Sequence, residues 1–263
     1  MTRQESGLII SGVTDVGKVR DHNEDFISWE PQMGLVMLAD GMGGHNAGEV
    51  ASKLAIESVR EAMGEVLAPD MVEFNMIDLS EAVFRSIVFA NDEIIRKAGN
   101  SVECSGMGTT IVITLFLAGR VIMGSVGDSR IYRFRENELS QLTTDHSLVQ
   151  EMVNNGYLSE EEAQLSSSRN LITRALGISD EVEVDVKEDS THSGDLFLLC
   201  SDGLTDLVTD EEIEELLRLH EDDQERANTE LVALANRKGG SDNISVILVR
   251  LHDGDLVSEK SDE

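Results

Sequence analysis

The stretch GTTIVITLFLAGRVIMGSVGDSRIYRF, residues 108–134, holds three apolar, β-branched runs separated by short glycine-containing turns, the pattern of consecutive strands. The turn at Leu117–Arg120 reads as a hairpin, which makes the first two strands antiparallel. Runs of the same kind lie on either side, at LIISGV (8–13), GLVMLA (34–39), DLFLLC (195–200) and NISVILVRL (243–251). After Asn46 the spacing changes: Ala51, Leu54, Ala55, Val59, Ala62, Met63, Val66 and Leu67 form the stripe of an amphipathic helix, with Asn46 and Glu49 as its capping box. Leu79, Val83, Ile87, Ala90 and Ile94 mark a second helix that ends near Gly99 and pairs with the first. Shorter helices are expected after Asp145, after Ser159 with Glu162, after Thr209 with Glu212, and over Gln224–Lys238 before Gly239. Strands and helices do not alternate regularly, so a doubly wound parallel sheet is disfavoured. The class is α+β, in layers, with antiparallel sheets and segregated helices.

The chain has 263 residues, 40% apolar and 27% charged, enough to bury a sizeable core without staples. No repeat or proline-rich linker divides it, and its two prolines are Pro31 and Pro69. The expected division is one domain over residues 1–252 followed by an acidic tail over 253–263. Fifty-one acidic residues against 21 basic ones give a formal charge of −30. Most of it is solvated surface, and a field of that sign repels nucleic acid and anionic membranes while favouring basic protein partners. Cys104 and Cys200 have no second Cys or His at metal spacing and read as reduced structural residues. The opening MTRQESGLII lacks the apolar stretch of a signal peptide and no run approaches a membrane span, so the expected location is cytoplasmic.

The chemistry is announced by apolar strands that run into aspartate. GLVMLA leads to Asp40–Gly41, VIMGSVG to Asp128 and DLFLLCS to Asp202–Gly203, while GGSD ends in Asp242 just before NISVILV; Glu24 and Asp25 add an acidic pair. A single aspartate there is an ordinary turn former. Four on one sheet system are harder to explain that way, because carboxylates brought together resist ionising unless a cation sits among them. With no Cys or His beside them, the expected ion is hard, Mg2+ or Mn2+ rather than zinc. Two such ions about 4 Å apart can share a water, lower its pKa and hold the attacking and leaving oxygens at phosphorus, which is phosphate ester hydrolysis. Arg20, just before the acidic pair, has the planar fork to grip phosphate oxygens.

Eight motifs stand in order along the chain: VRDHNEDF (19–26), LADGMGGHNAGE (38–49), SGMGTT (105–110), GSVGDSRIY (124–132), LTTDHSL (142–148), TRALG (173–177), LLCSDGLTD (198–206) and GGSDNISVILV (239–249). Together they resemble the PPM family, the type-2C metal-dependent serine/threonine protein phosphatases, most closely its bacterial form, over about Leu8–Leu251. The resemblance implies a four-layer α/β/β/α sandwich: two central antiparallel sheets flanked by helices, with the metals between the sheets at one edge. It implies that Asp40 bridges two ions and Gly41 offers its carbonyl to one, that Asp202 and Asp242 bind the other, and that Asp128 with Asp202 serves a weaker third ion. Glu24 and Asp25 match the acidic pair supporting the second ion through waters, and Arg20 matches the phosphate-gripping arginine. It further implies phosphorylated protein substrates, among them a Ser/Thr kinase or its targets, and a monomer.

Met42 departs from members that carry a histidine proton donor directly after the Asp–Gly, which makes nearby His45 a candidate donor. Residues 145–169 fall where bacterial members carry a variable flap, with substrate selection as its expected role. Competing patterns are weaker. GVTDVGK (12–18) is nearly a phosphate-binding loop, but Val19 stands where a hydroxyl is needed. Asp253–Gly–Asp255 has too little chain after it to complete an aspartyl-phosphate site. Thr110 and Asp206 stand where a cysteine phosphatase would need arginine. A metal-free docking module of the same fold would have lost acidic ligands, whereas Asp40, Asp128, Asp202 and Asp242 are all present.

Overall fold

The computed structural model describes residues 7–43, 47–67, 76–117, 119–159, 162–163, 166, 168 and 170–252. Two antiparallel sheets form its centre. The first has strand order β1 (Leu8–Asp15), β11 (Ile244–Leu251), β10 (Leu196–Cys200), β7 (Arg130–Arg135) and β8 (Glu138–Gln141). The second runs β2 (Asp25–Glu30), β3 (Leu35–Met42), β5 (Ile111–Leu117), β6 (Arg120–Val126) and β9 (Asp185–Ser190), with β4 (Gly108–Thr109) pairing the end of β3. The anticipated hairpin is present, with Leu117 opposite Arg120.

Side chains alternate across a strand, so a strand covered on both faces must be apolar at every position. This is why β3, β10 and β11 read as unbroken apolar runs. In β3, Leu35, Met37 and Ala39 pack toward helices α1 (Ala47–Val66) and α2 (Met76–Asn100), and Val36 and Leu38 pack toward the other sheet. In β10, Phe197 and Leu199 meet them from across the gap, while Leu196, Leu198 and Cys200 face helices α5 (Asp210–Leu219) and α6 (Gln224–Arg237). Three apolar layers therefore separate four structural layers, as the sandwich requires. The ring of Phe197 meets Phe116 of the opposite sheet edge-on, with centroids 5.1 Å apart. Removing it in Phe197→Ala leaves a cavity in the inter-sheet layer. The expected cost in denaturant unfolding is about 3–5 kcal/mol, and the expected fall in Tm is roughly 10 °C.

The helix ends follow their caps. Thr209 and Glu212 form the expected reciprocal box at the start of α5. Ser147 caps the short α3 (Leu148–Asn154), and Ser159 exchanges bonds with Glu162. Asn46, the expected cap of α1, lies outside the described residues, as does the tail over 253–263. Three strands escape the apolar-run reading. DFISWE (β2), ELSQ (β8) and DVKEDS (β9) are all sheet-edge or near-edge strands, with few of the consecutive apolar residues that two buried faces demand. The run GTTIVITLFLAG is also two strands rather than one, broken at Thr110. No helix among the described residues is long and apolar enough to cross a membrane.

Candidate metal centre

Asp25 and Asp40 face each other as register partners across β2 and β3. Asp202 opens the short helix α4 (Asp202–Thr205) directly after β10, Asp242 precedes β11, and Asp128 lies in the turn joining β6 to β7. The acids therefore come from both sheets and from the turn that crosses between them. Asp40 also lies within its strand, which continues to Met42. Folding the two sheets face to face brings these positions to one rim.

The electrostatics record how close they are. Burial raises the Asp40 carboxyl well above the usual carboxylate range, and the charges of Asp25, Asp202, Asp128 and Asp242 raise it further. Asp202 is raised in the same way, by burial and then by Asp128, Asp206, Asp242 and Asp25. Burial pushes Asp25 up to about 6 against the hydrogen bond from Ser201. Asp128 reaches about 7 through burial and the nearby charges of Asp145 and Asp206. Glu24 is raised by burial, an effect that Arg20 opposes. Two carboxylate oxygens, Asp25 Oδ1 and Asp202 Oδ1, are buried without a hydrogen-bond partner, a costly state for an acceptor.

The polar frame around the acids is built from small residues that interrupt the apolar runs. Ser201 Oγ donates to Asp25 Oδ2 at 2.8 Å and accepts from Ser245 N at 3.0 Å. Thr109 Oγ1 donates to Asp40 O at 2.8 Å, Thr110 N donates to the same carbonyl at 2.9 Å, and Asp40 N donates to Thr110 Oγ1 at 3.1 Å. Thr110 and Ser129 then share a hydroxyl bond of 2.8 Å, which ties the Asp40 strand to the Asp128 turn. Beneath that turn, Gly127 N donates to His146 Nδ1 and His146 N returns a bond to Gly127 O. Of this frame the sequence reading caught the aspartates but not the hydroxyls, whose only sign was a polar residue inside an otherwise apolar strand.

Gly41 sits where a side chain has no room. A Cβ there would lie 2.2 Å from Gly48 O and 2.7 Å from Glu24 O, so the Asp40–Gly41 backbone is pressed between the start of α1 and the Glu24 segment. Gly41 N donates to Glu24 O at 3.1 Å. Arg20 is at the rim, half-exposed, and its guanidinium donates to Asp242 Oδ2 at 2.7 Å. The structure thus gathers Arg20, Glu24, Asp25, Asp40, Gly41, Asp128, Asp202 and Asp242 in one neighbourhood. His45 lies outside the described residues.

This donor set fits hard divalent cations. It is all oxygen, it is too crowded with negative charge to stay ionised alone, and it holds two buried acceptors with no other partner. Among the described residues, no three acidic, His or Cys side chains already close on one point as a cage. After β8 the chain is joined across a longer excursion by Leu148 N to Leu171 O and Thr173 N to His146 O, both 2.8 Å.

A four-layer sandwich with an all-oxygen acidic rim and an arginine beside it is the arrangement expected of a metal-dependent phosphate-ester hydrolase. The family model "Protein phosphatase 2C" matches residues 18–235. The serine/threonine phosphatase stp of Listeria monocytogenes is 39% identical over 239 residues, covering 90% of this chain and 93% of that protein. The crystal structure of the Mycobacterium tuberculosis serine/threonine phosphatase PstP/Ppp superposes with a TM-score of 0.85 at 37% identity, over 93% of this chain and 99% of that one. A second PstP structure, its catalytic domain in complex with two manganese ions, gives 0.81 at 36% identity, over 94% and 99%. The chain belongs to the protein phosphatase 2C family and is a metal-dependent serine/threonine protein phosphatase.

Proposed function

We propose that the acidic rim is the catalytic centre of this phosphatase. In this reading Asp40 and the Gly41 carbonyl would hold metal together with Asp202 and Asp242, Asp128 with Asp202 would serve a further ion, Glu24 and Asp25 would support the set, and Arg20 would bind the substrate phosphate. The observation that supports it best is the pair of partnerless buried oxygens on Asp25 and Asp202, within a cluster whose members raise one another's pKa. Mn2+ is the favoured ion, since the PstP catalytic domain binds two manganese ions, and Mg2+ is the alternative of the same hard type. When bound, such ions supply hydroxide at neutral pH and neutralise charge on the phosphoryl group.

The protein's own groups do the rest. Thr109, Thr110 and Ser129 fix the backbone on which Asp40 stands. Ser201 orients Asp25 and is itself held by the Ser245 N–H. The Arg20 guanidinium engages Asp242 through one nitrogen, which leaves the other donors of its fork for phosphate oxygens. That ion pair is exposed and so weakly held, and a dianionic ester can draw the arginine over. Substrates are phosphoserine and phosphothreonine proteins, and basic flanking residues suit the charge of −30. A Ser/Thr kinase or its targets are the proposed partners of a monomeric, cytoplasmic enzyme.

Hydrolysis of p-nitrophenyl phosphate and a phosphothreonine peptide with Mn2+, Mg2+ or EDTA tests the reading. EDTA should abolish turnover. Arg20→Ala should raise KM about tenfold with kcat within about threefold, the signature of lost ground-state binding. An unchanged KM would remove Arg20 from the phosphate site, and turnover indifferent to EDTA would end the metal reading.

A further inference from the structure

Residues 16–24, between β1 and β2, carry Arg20 and Glu24 yet form only turns and bends. A phosphate-gripping arginine on an untethered loop would be a poor binder, since a displacement of about 1 Å can cost roughly a hundredfold in rate. One side chain bonds this loop at three points. Asn243, buried and directly after Asp242, accepts from Glu24 N through Oδ1 at 2.8 Å. Its Nδ2 donates to Val16 O at 3.0 Å and to His22 O at 2.9 Å. An asparagine amide has two N–H donors and one carbonyl acceptor. Here both donors and the acceptor are committed to three points of the same loop, on either side of Arg20.

The surroundings leave Asn243 little freedom of its own. A Cβ on Gly203 would lie 1.9 Å from Asn243 O, so the Asn243 backbone is pressed against the segment that carries Asp202. Lys18 N donates to Gly240 O at 2.8 Å. Gly17, at φ +78°, lies so close to this segment that a Cβ would stand 2.2 Å from Asp242 O. The loop therefore rests on the 240–242 backbone and is tied down by Asn243.

We infer that Asn243 is the positioning residue for phosphate recognition: its amide clamps the 16–24 loop against the Asp242 segment and so sets where Arg20 and Glu24 stand. This rests on the assignment of Arg20 to phosphate made above. The clamp explains why a half-exposed arginine reaches its place without regular structure beneath it. It also makes one residue join the substrate side of the site to the acidic side.

A double-mutant cycle at saturating Mn2+, read with p-nitrophenyl phosphate, distinguishes positioning from mere structural support. Asn243→Ala should raise KM about tenfold with kcat within about threefold, and in an Arg20→Ala background it should add no more than about twofold, because a misplaced arginine and an absent one are equivalent. Hydrogen exchange on the EDTA-treated protein gives a second reading, free of turnover. The Glu24 amide should lose protection in Asn243→Ala while amides of β5 and β10 keep theirs. Fully multiplicative KM effects, or an unchanged Glu24 amide, would overturn the inference. Should Asn243→Ala fail to fold, Asn243→Ser takes its place in the cycle, since it removes both amide donors without adding a charge. If Arg20→Ala alone leaves KM unchanged, the phosphate assignment falls, and Glu24 exchange then decides whether the clamp stands.

Discussion

An Asp202→Asn variant is expected to lose at least about 10²–10³-fold in kcat at saturating Mn2+ and yet, stripped with EDTA at pH 8, to melt at a higher temperature than the wild-type chain. The two halves have one cause. Asp202 is raised well above the usual carboxylate range by burial and by Asp128, Asp206, Asp242 and Asp25, so without a cation its charge is a liability, and in the proposed centre a bound cation would offset it. The pH dependence follows from the same shifts. Unfolded, these groups titrate near 3.9, whereas in the fold Asp25 titrates at about 6 and Asp128 at about 7. Between those limits the folded chain holds protons that the unfolded chain does not, so stability falls as pH rises. The metal-free protein should therefore gain several degrees in Tm, about 5 °C or more, between pH 8 and pH 5. Mn2+ should stabilise it most at the high end of that range, where the carboxylates are free to bind. A wild-type Tm that is flat in pH under EDTA, or an Asp202→Asn variant less stable than wild type without metal, would contradict the account.

Gly41→Ala is expected to be strongly damaging for a single added methyl group. Its Cβ would stand 2.2 Å from one backbone oxygen and 2.7 Å from another, and backbone on two sides cannot step aside as a flexible side chain can. A cost of about 2–3 kcal/mol in denaturant unfolding is expected, together with loss of most activity, because the strain falls on the peptide that follows Asp40. Gly64 in α1 is the internal contrast. Nothing lies within 4 Å of a Cβ there, and the residue is inside a helix, so Gly64→Ala should stabilise by about 0.5–1 kcal/mol. Equal effects of the two substitutions would mean that helix propensity rather than close approach governs both.

The layers of the fold were legible wherever burial on two faces leaves an uninterrupted apolar run. The strands β3, β10 and β11 and the stripes of α1 and α2 belong to that set. The edge strands β8 and β9 were not legible, because a strand with one neighbour and an open face needs no such run. Of the site, the aspartates were legible, since a carboxylate at the end of a buried strand has few structural reasons to recur. The hydroxyls of Thr109, Thr110, Ser129, Ser201 and Ser245 were not, because serine and threonine occur in strands for many reasons.

The sequence by itself determined the type of chemistry to expect: candidate acidic ligands in a set of ordered motifs, an arginine beside them, and apolar periods that favour a layered α+β arrangement. Residue types and their spacing carry that information locally. Only the tertiary structure decided that the acids come from two sheets and a crossing turn, that Gly41 has no room for a side chain, and that Asn243 reaches back over more than two hundred positions to hold Val16, His22 and Glu24. Such contacts depend on which surfaces the two sheets present to each other, and β11 lies beside β1 only once the whole chain has folded.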